Sequence, residues 1–389
     1  MRQHINIFRI CRLFFLFWLI NWPFNKALAQ KYFQQEVNCT ISVSLNDKLH
    51  ELIAFETIEY INNSPDTLRF LFFHLWPNGY LNNNTELAGQ MIGQMGKGKL
   101  FNDSELRGYI DSLDFHVNSE PVKWNLLKDQ PDVCLLTLDE GLRPGDTIRI
   151  STPFHVKIPK GVTSRLGHIG ESYQISQWYP KPAVYDINGW HPMSYQDQGE
   201  FYSEFGRFDV SITLPDNYLV GATGNLQNKG ESEFMTRLAK DTAGRSSTGS
   251  EILKFPPSSH KLKTLRYTEN NIHDFAWFAD KRFHVLKGEV RLPESGRVVT
   301  TWALFTDFQA DWWKDAIKYI NNSIYYFSKW NGDYPYQNFT AVQSALTAGT
   351  GMEYPGITVI GQVKDAYILD DVIAHEIGHS WFYSALGSD

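Results

Sequence analysis

The chain has 389 residues, 42% of them hydrophobic, enough to bury more than one core. Acidic residues number 43 against 36 Lys and Arg, a formal charge of −7 with no basic stripe, which argues against a nucleic-acid partner. The longest apolar run, LFFLFWLINWPF from Leu13, is about a dozen residues, where a membrane span needs about 20.

Arg2, Arg9 and Arg12 precede that run and Ala27-Leu28-Ala29 closes it. A basic start, a short apolar core and a small-residue end read as a secretory signal over residues 1–29, cut after Ala29, with a periplasmic or extracellular destination. Its removal takes Arg2, Arg9, Arg12 and Lys26 and no acid, which moves the formal charge from −7 to −11. Cys39 and Cys134 then remain, each in an alternating apolar row, and read as small core residues rather than a bridge. Val37, Cys39, Ile41, Val43 and Leu45 alternate with polar residues, as do Phe208, Val210, Ile212 and Leu214. Between them Cys134, Leu136 and Leu138 share a face, and Arg143-Pro144-Gly145-Asp146 suits a type II turn. These signals make residues 30–285 an all-β N-terminal domain. Residues 89–104 read as a surface loop and 236–263 as an insertion between strands. Trp178, Tyr179, Tyr185 and Trp190 crowd together, and packing of the β domain is the expected use. The rival use is an exported aromatic platform for glycans or another polymer.

Residues 286–389 change character. Trp313, Ile317, Ile320, Ile324 and Phe327 step by threes and fours through Asp311–Trp330, which predicts a helix. A strand-like TAVQSAL and the loop-like TAGTGMEYPG follow. The last segment runs from Asp370-Asp371, suited to a helix start, to Gly387, suited to its end, and predicts a helix of about four turns.

Within that helix His375, Glu376 and His379 form H-E-x-x-H. Residues i and i+4 share a helical face, so both imidazoles can aim at one metal ion. Glu376 is turned by about 100° from His375 and can lie beside the metal as a general base toward its water. A catalytic zinc takes three protein ligands. The continuation H-x-x-G-x-x-H is excluded, because Phe382 and Ala385 occupy the glycine and histidine positions. The only acid between Ser380 and the end is Asp389.

HEIGHSWF, the upstream TGMEYP, the long β region, and the stretches ISQWYPKPAVYD and GEFYSEFGRFDVSITLP together resemble the M1 family of zinc aminopeptidases, the gluzincins, in an exported bacterial form. The resemblance covers nearly all of the chain after the signal. It implies a saddle-like all-β first domain (30–285) followed by the start of an α+β thermolysin-like catalytic domain (286–389). It implies one catalytic Zn2+ held by His375 and His379, with Glu376 as general base and a third ligand, a Glu, beyond Asp389. Glu353 would recognise the α-amine of a peptide with a free N-terminus. Gly351 and Met352 would line the substrate, and Gln177 would reach its amino terminus. Thr350, Tyr354 and Tyr179 depart from the family's pattern, which leaves the preferred N-terminal residue open. The 389 residues alone are expected to be inactive and their C-terminal helix poorly anchored. A non-catalytic scaffold is the alternative, and Glu376 between two histidines argues against it.

Overall fold

The computed structural model describes residues 32–95, 100–161, 164–199, 201–242, 254–344 and 351–386, and counts of strands and helices refer to these. The segment read as a signal, 1–29, lies outside them, as do Thr350 and Gly387. No described helix is long and apolar enough to cross a membrane.

Alternation governs the first region. In β1 (Glu36–Asn46), Val37, Cys39, Ile41, Val43 and Leu45 are all buried and the residues between them are not, as period two requires. β2 (Glu51–Ile61) runs antiparallel to β1. β3 (Leu68–His74) and β4 (Gln130–Leu142) pair in a second sheet, where Cys134, Leu136 and Leu138 are buried. The turn after β4 has Gly145 at φ 82° and the Asp146 N–H donating to Arg143 O at 3.0 Å, the type II geometry expected. It leads into β5 (Thr147–Lys157), antiparallel to β2. β6 (Gly206–Pro215) lies parallel to β1, and its Phe208, Val210, Ile212 and Leu214 are buried. β7 (Leu219–Ala222), β8 (Leu262–Ile272) and β9 (Trp277–Asp280) follow among other short strands, β8 beside β6 and β9 beside β7. Cys39 and Cys134 are free thiols in different sheets. Trp178 and Tyr179 are buried in the core, while Tyr185 and Trp190 pack on each other in a short hairpin.

Two expectations fail here. Part of the supposed surface loop 89–104 is helical, α1 (Glu86–Met95), with Leu87, Ala88 and Met91 buried and Thr85 Oγ1 accepting from the Ala88 N–H. Part of the supposed insertion 236–263 belongs to α2 (Lys229–Thr242), which buries Met235 and Ala239. α2 carries few apolar residues and α1 is interrupted by Gly89 and Gly93, so neither reads as a helix in the sequence and tertiary packing decides.

From His284 onward the strands form a separate five-stranded sheet. β10 (His284–Arg291) pairs antiparallel with β11 (Val298–Phe305). The predicted Asp311–Trp330 helix is broken into α3 (Ala310–Trp313) and α4 (Ala316–Asn331), and Trp313, Ile320 and Ile324 are fully buried. β12 (Asn338–Gln343) lies parallel to β11. β13 (Gly351–Tyr354) forms the antiparallel edge beside β14 (Ile357–Ile360), so GMEY is a strand, as the resemblance implies, and not part of a loop. α5 (Ala366–Gly378) follows.

The sheet is covered on both faces. A Cβ on Gly288 would meet Ile317 of α4, and Thr301 bonds Asn321 of α4 at 2.8 Å, so those residues face the helices. On the opposite face Gly221 of β7 sits against Thr340, Val342 and Ile357.

Candidate metal centre

The helix that carries the motif is offset from its sequence reading. It starts at Ala366 rather than Asp370, because Asp365 is extended and its side chain accepts from the Ile368 N–H at 2.9 Å, the geometry of an N-cap. It ends at Gly378 rather than Gly387, so the motif occupies its last turn and not its middle. His379 is the C-cap but keeps right-handed helical dihedrals, φ −64° and ψ −12°. The i, i+4 relation to His375 therefore survives.

Leu369, Ile373 and Ile377, four apart, are all fully buried against α4, β13 and β14. After the helix the Trp381 indole N–H donates to Gly332 O at 2.9 Å, and the Tyr336 hydroxyl donates to Ser384 O at 3.2 Å. These contacts overturn the expectation of a poorly anchored C-terminal helix.

The motif side chains lie beside this apolar face, with Glu376 turned toward β13. The Nε2 atoms of His375 and His379 lie 3.3 Å apart. Two nitrogens on one tetrahedral zinc, at about 2.0–2.1 Å each, are about 3.3–3.4 Å apart, so the imidazoles fit that ion. The Nδ1 of His379 is 3.2 Å from Phe382 O, an acceptor that calls for Nδ1–H and leaves the Nε2 lone pair for a metal. Glu376 is buried on the adjoining face.

β13 delivers the second set of residues. Strand parity points Gly351 and Glu353 toward α5, and Met352 and Tyr354 away from it. A Cβ on Gly351 would come within 2.2 Å of Glu376 Oε1, so only glycine leaves the carboxylate its place. Glu353 is 5% exposed, its Oε1 has no hydrogen-bond partner among the described residues, and the same atom is 3.8 Å from His379 Nδ1. Glu353, Glu376 and His379 each bring a donor atom within 4.8 Å of the others. A buried carboxylate with an orphaned oxygen awaits a cation or a proton donor.

The remaining two residues singled out from the sequence stand apart from this group. Met352 Sδ accepts from the Arg165 guanidinium at 3.3 Å. Gln177 is buried in the left-handed region at φ 54°. Its amide donates to Asp274 at 2.5 Å and accepts from Lys181 at 3.2 Å, so both ends are engaged inside the protein. Lys181 pairs with Asp274 at 2.9 Å, and the Tyr179 hydroxyl joins the same carboxylate at 3.0 Å. Burial pulls the Lys181 pKa down against the attraction of Asp274. Burial also pushes Asp274 up, but the adjacent ammonium outweighs it and holds that carboxyl low. Next to it, burial pulls His273 down to about 4, which keeps it neutral to donate from Nε2 to Tyr383 O at 3.1 Å. Asp274, His273 and Arg165 belong to no motif, and Lys181 lies within ISQWYPKPAVYD, where nothing marks it as functional. The available signal is a lone charge in an apolar stretch, such as WYPKPAVY, which needs an opposite charge from elsewhere when it is buried.

No family model and no curated protein matches the sequence. Solved structures do match. The M1 zinc metallopeptidase of Deinococcus radiodurans superposes with a TM-score of 0.53 at 14% identity, over 92% of this chain and 66% of that one. A point mutant of it gives a TM-score of 0.56 at 14% identity over the same shares. A mutant bound to a Tyr-Ser-Ala substrate gives 0.53 at 14% identity, over 91% of this chain and 66% of that one. The chain thus spans 66% of the length of these structures. At this identity the likeness is one of fold: a multi-sheet, mostly β molecule with few helices, in which an N-terminal β region precedes the start of a helical region, as in the M1 zinc metallopeptidases.

Proposed function

We propose that these residues form the centre of a zinc-dependent aminopeptidase that removes the N-terminal residue of peptides. The observation that carries this is the pair of Nε2 atoms 3.3 Å apart with a buried glutamate, Glu376, on the next helical position. His375 and His379 would hold the ion, which when bound supplies Lewis acidity and a more acidic water. Glu376 takes the proton of the attacking water and passes it to the departing amine. Glu353 offers its unpartnered oxygen to the substrate α-ammonium in a charge-assisted contact, so that only the first peptide bond reaches the reacting centre. Gly351 leaves room for Glu376 and for the substrate backbone along the sheet edge. The fold neighbours include metallopeptidase structures bound to L-arginine, L-tryptophan and Tyr-Ser-Ala, which fits amino acids and peptides as ligands here. Export through the N-terminal signal, with peptides outside the inner membrane as substrates, is part of the same reading.

Two imidazoles are one protein ligand short of a catalytic zinc. The readout on the 389 residues is therefore metal binding, and turnover is measured on the protein with a complete ligand set. Glu376→Gln is expected to keep bound zinc and lower the hydrolysis of an aminoacyl-anilide by about 10²–10⁴-fold, the usual contribution of a proton-transfer group. Undiminished turnover sinks the assignment. N-acetylation of the substrate, or Glu353→Ala, should remove most of the rate. Equal cleavage of blocked peptides would leave a metallopeptidase but not an aminopeptidase.

A further inference from the structure

A cavity of about 430 Å³ contains none of His375, Glu376, His379 or Glu353. It lies on the other face of the same five-stranded sheet. Thr301 faces α4, so its neighbours Thr300 and Trp302 face the opposite way, and both line the cavity. Lys287, opposite Trp302 in the β10–β11 register, shares that face. α2 forms one wall through Met235, and β7 forms another through Val220 and Ala222.

The lining combines an apolar body with two cations. Val220, Leu226, Met235, Trp302 and Leu304 supply the apolar surface, and no Asp or Glu lines the space. The Lys287 ammonium lies 5.1 Å from the centre of the Trp302 ring, and its hydrogen-bond acceptor is the neutral Thr236 hydroxyl at 3.3 Å. The Arg297 guanidinium donates to the carbonyls of Tyr334 and Tyr336. Neither cation has a carboxylate within ion-pair distance among the described residues, although the charge of Arg297 is felt at Glu269 and Asp333. In a chain with seven more acids than bases, two cations left without a carboxylate beside one cavity are an arrangement for an incoming anion. The volume falls within the roughly 300–1,000 Å³ of small-molecule sites, which favour junctions between packed layers such as this one.

We propose that this cavity binds a small aromatic carboxylate, its ring packed against Trp302 and Met235 and its carboxylate held by Lys287 and Arg297. The site is separate from the metal centre and does not depend on the peptidase reading. The test is calorimetric titration of the 389-residue chain with 2-naphthoate and with its neutral counterpart 2-naphthamide, the fold of each variant being checked by thermal melting. Saturable one-to-one binding of naphthoate is expected, with naphthamide at least tenfold weaker. Lys287→Gln should weaken naphthoate by at least tenfold, and Met235→Trp, which fills the cavity, should abolish binding. Glu353→Gln should leave naphthoate binding at its parental value. The proposal is overturned if the folded chain shows no saturable naphthoate binding, or if the amide binds equally well. It is also overturned if both cavity variants bind like the parent, or if Glu353→Gln removes the binding.

Discussion

Around Glu376 the packing is tight enough for a single methyl group to matter. Its carboxylate occupies the volume that a side chain at position 351 would need, with three of its atoms within 2.9 Å of a Cβ placed there. Gly351→Ala must therefore push either the edge strand or the glutamate aside. Exposed sheet edges yield more readily than cores, but β13 is held by β14 and by Met352 against Arg165. The side chain of Glu376 is the part that moves. Displacing a catalytic group by about 1 Å typically costs on the order of 10²-fold in rate. Gly351→Ala is thus expected to lower aminoacyl-anilide turnover of the full protein by about 10²-fold, with zinc affinity and melting temperature nearly unchanged. A variant with parental turnover would show that Glu376 has room the structure does not give it.

At the scale of elements, α5 separates two contributions that the motif alone confounds. Its N-cap fixes where the helix begins, and its apolar face fixes which way the histidines point. Asp365→Ala removes the bond to Ile368 and should lower unfolding stability by about 1 kcal/mol. Ile373→Ala opens a cavity at a fully buried position and should cost about 2–5 kcal/mol, measured by denaturant titration. If the two losses are equal, the helix is held by its cap rather than by its face. The long strands were legible in advance, because alternation between buried and exposed residues is a direct imprint of the pleat. The start of α5 was not: Asp365 and Asp370-Asp371 are chemically equivalent capping candidates, and only the backbone at Asp365 decides. Helices α1 and α2 were missed for the related reason that packing, not periodicity, sustains them. The His375–His379 pair was readable from its spacing, and Glu353 only through a family resemblance. The Lys181–Asp274–Gln177 network was invisible, since it joins segments that nothing in the local sequence links.

Across the molecule, two buried carboxyls, Glu204 and Glu56, each make a contribution to stability that runs with pH opposite to the usual acid denaturation. Glu204 is 5% exposed and accepts from the Tyr185 N–H at 3.1 Å; burial, reinforced by the charge of Asp186, raises its carboxyl to about 8. Glu56 is buried among the strands of the first region with neither oxygen bonded among the described residues, and burial raises it well above its ordinary value. In the unfolded chain both titrate near about 4.3. The folded state therefore holds protons that the unfolded state has released across the window from about 4 to about 8. The stabilisation is full below the unfolded pKa and is lost as pH rises through the folded one. For Glu204 the span corresponds to at most about 4–5 kcal/mol. Glu204→Gln keeps an acceptor for the Tyr185 N–H and cannot ionise. It should match the parent at pH 4 and exceed it in unfolding stability at pH 9 by a few kcal/mol, about 5 at most. The comparison is made by urea unfolding at the two pH values, because the difference between variant and parent cancels the general repulsion that grows as this acidic chain loses protons. A gap of the same size at both pH values would mean that the Glu204 carboxyl titrates alike in the folded and unfolded chain.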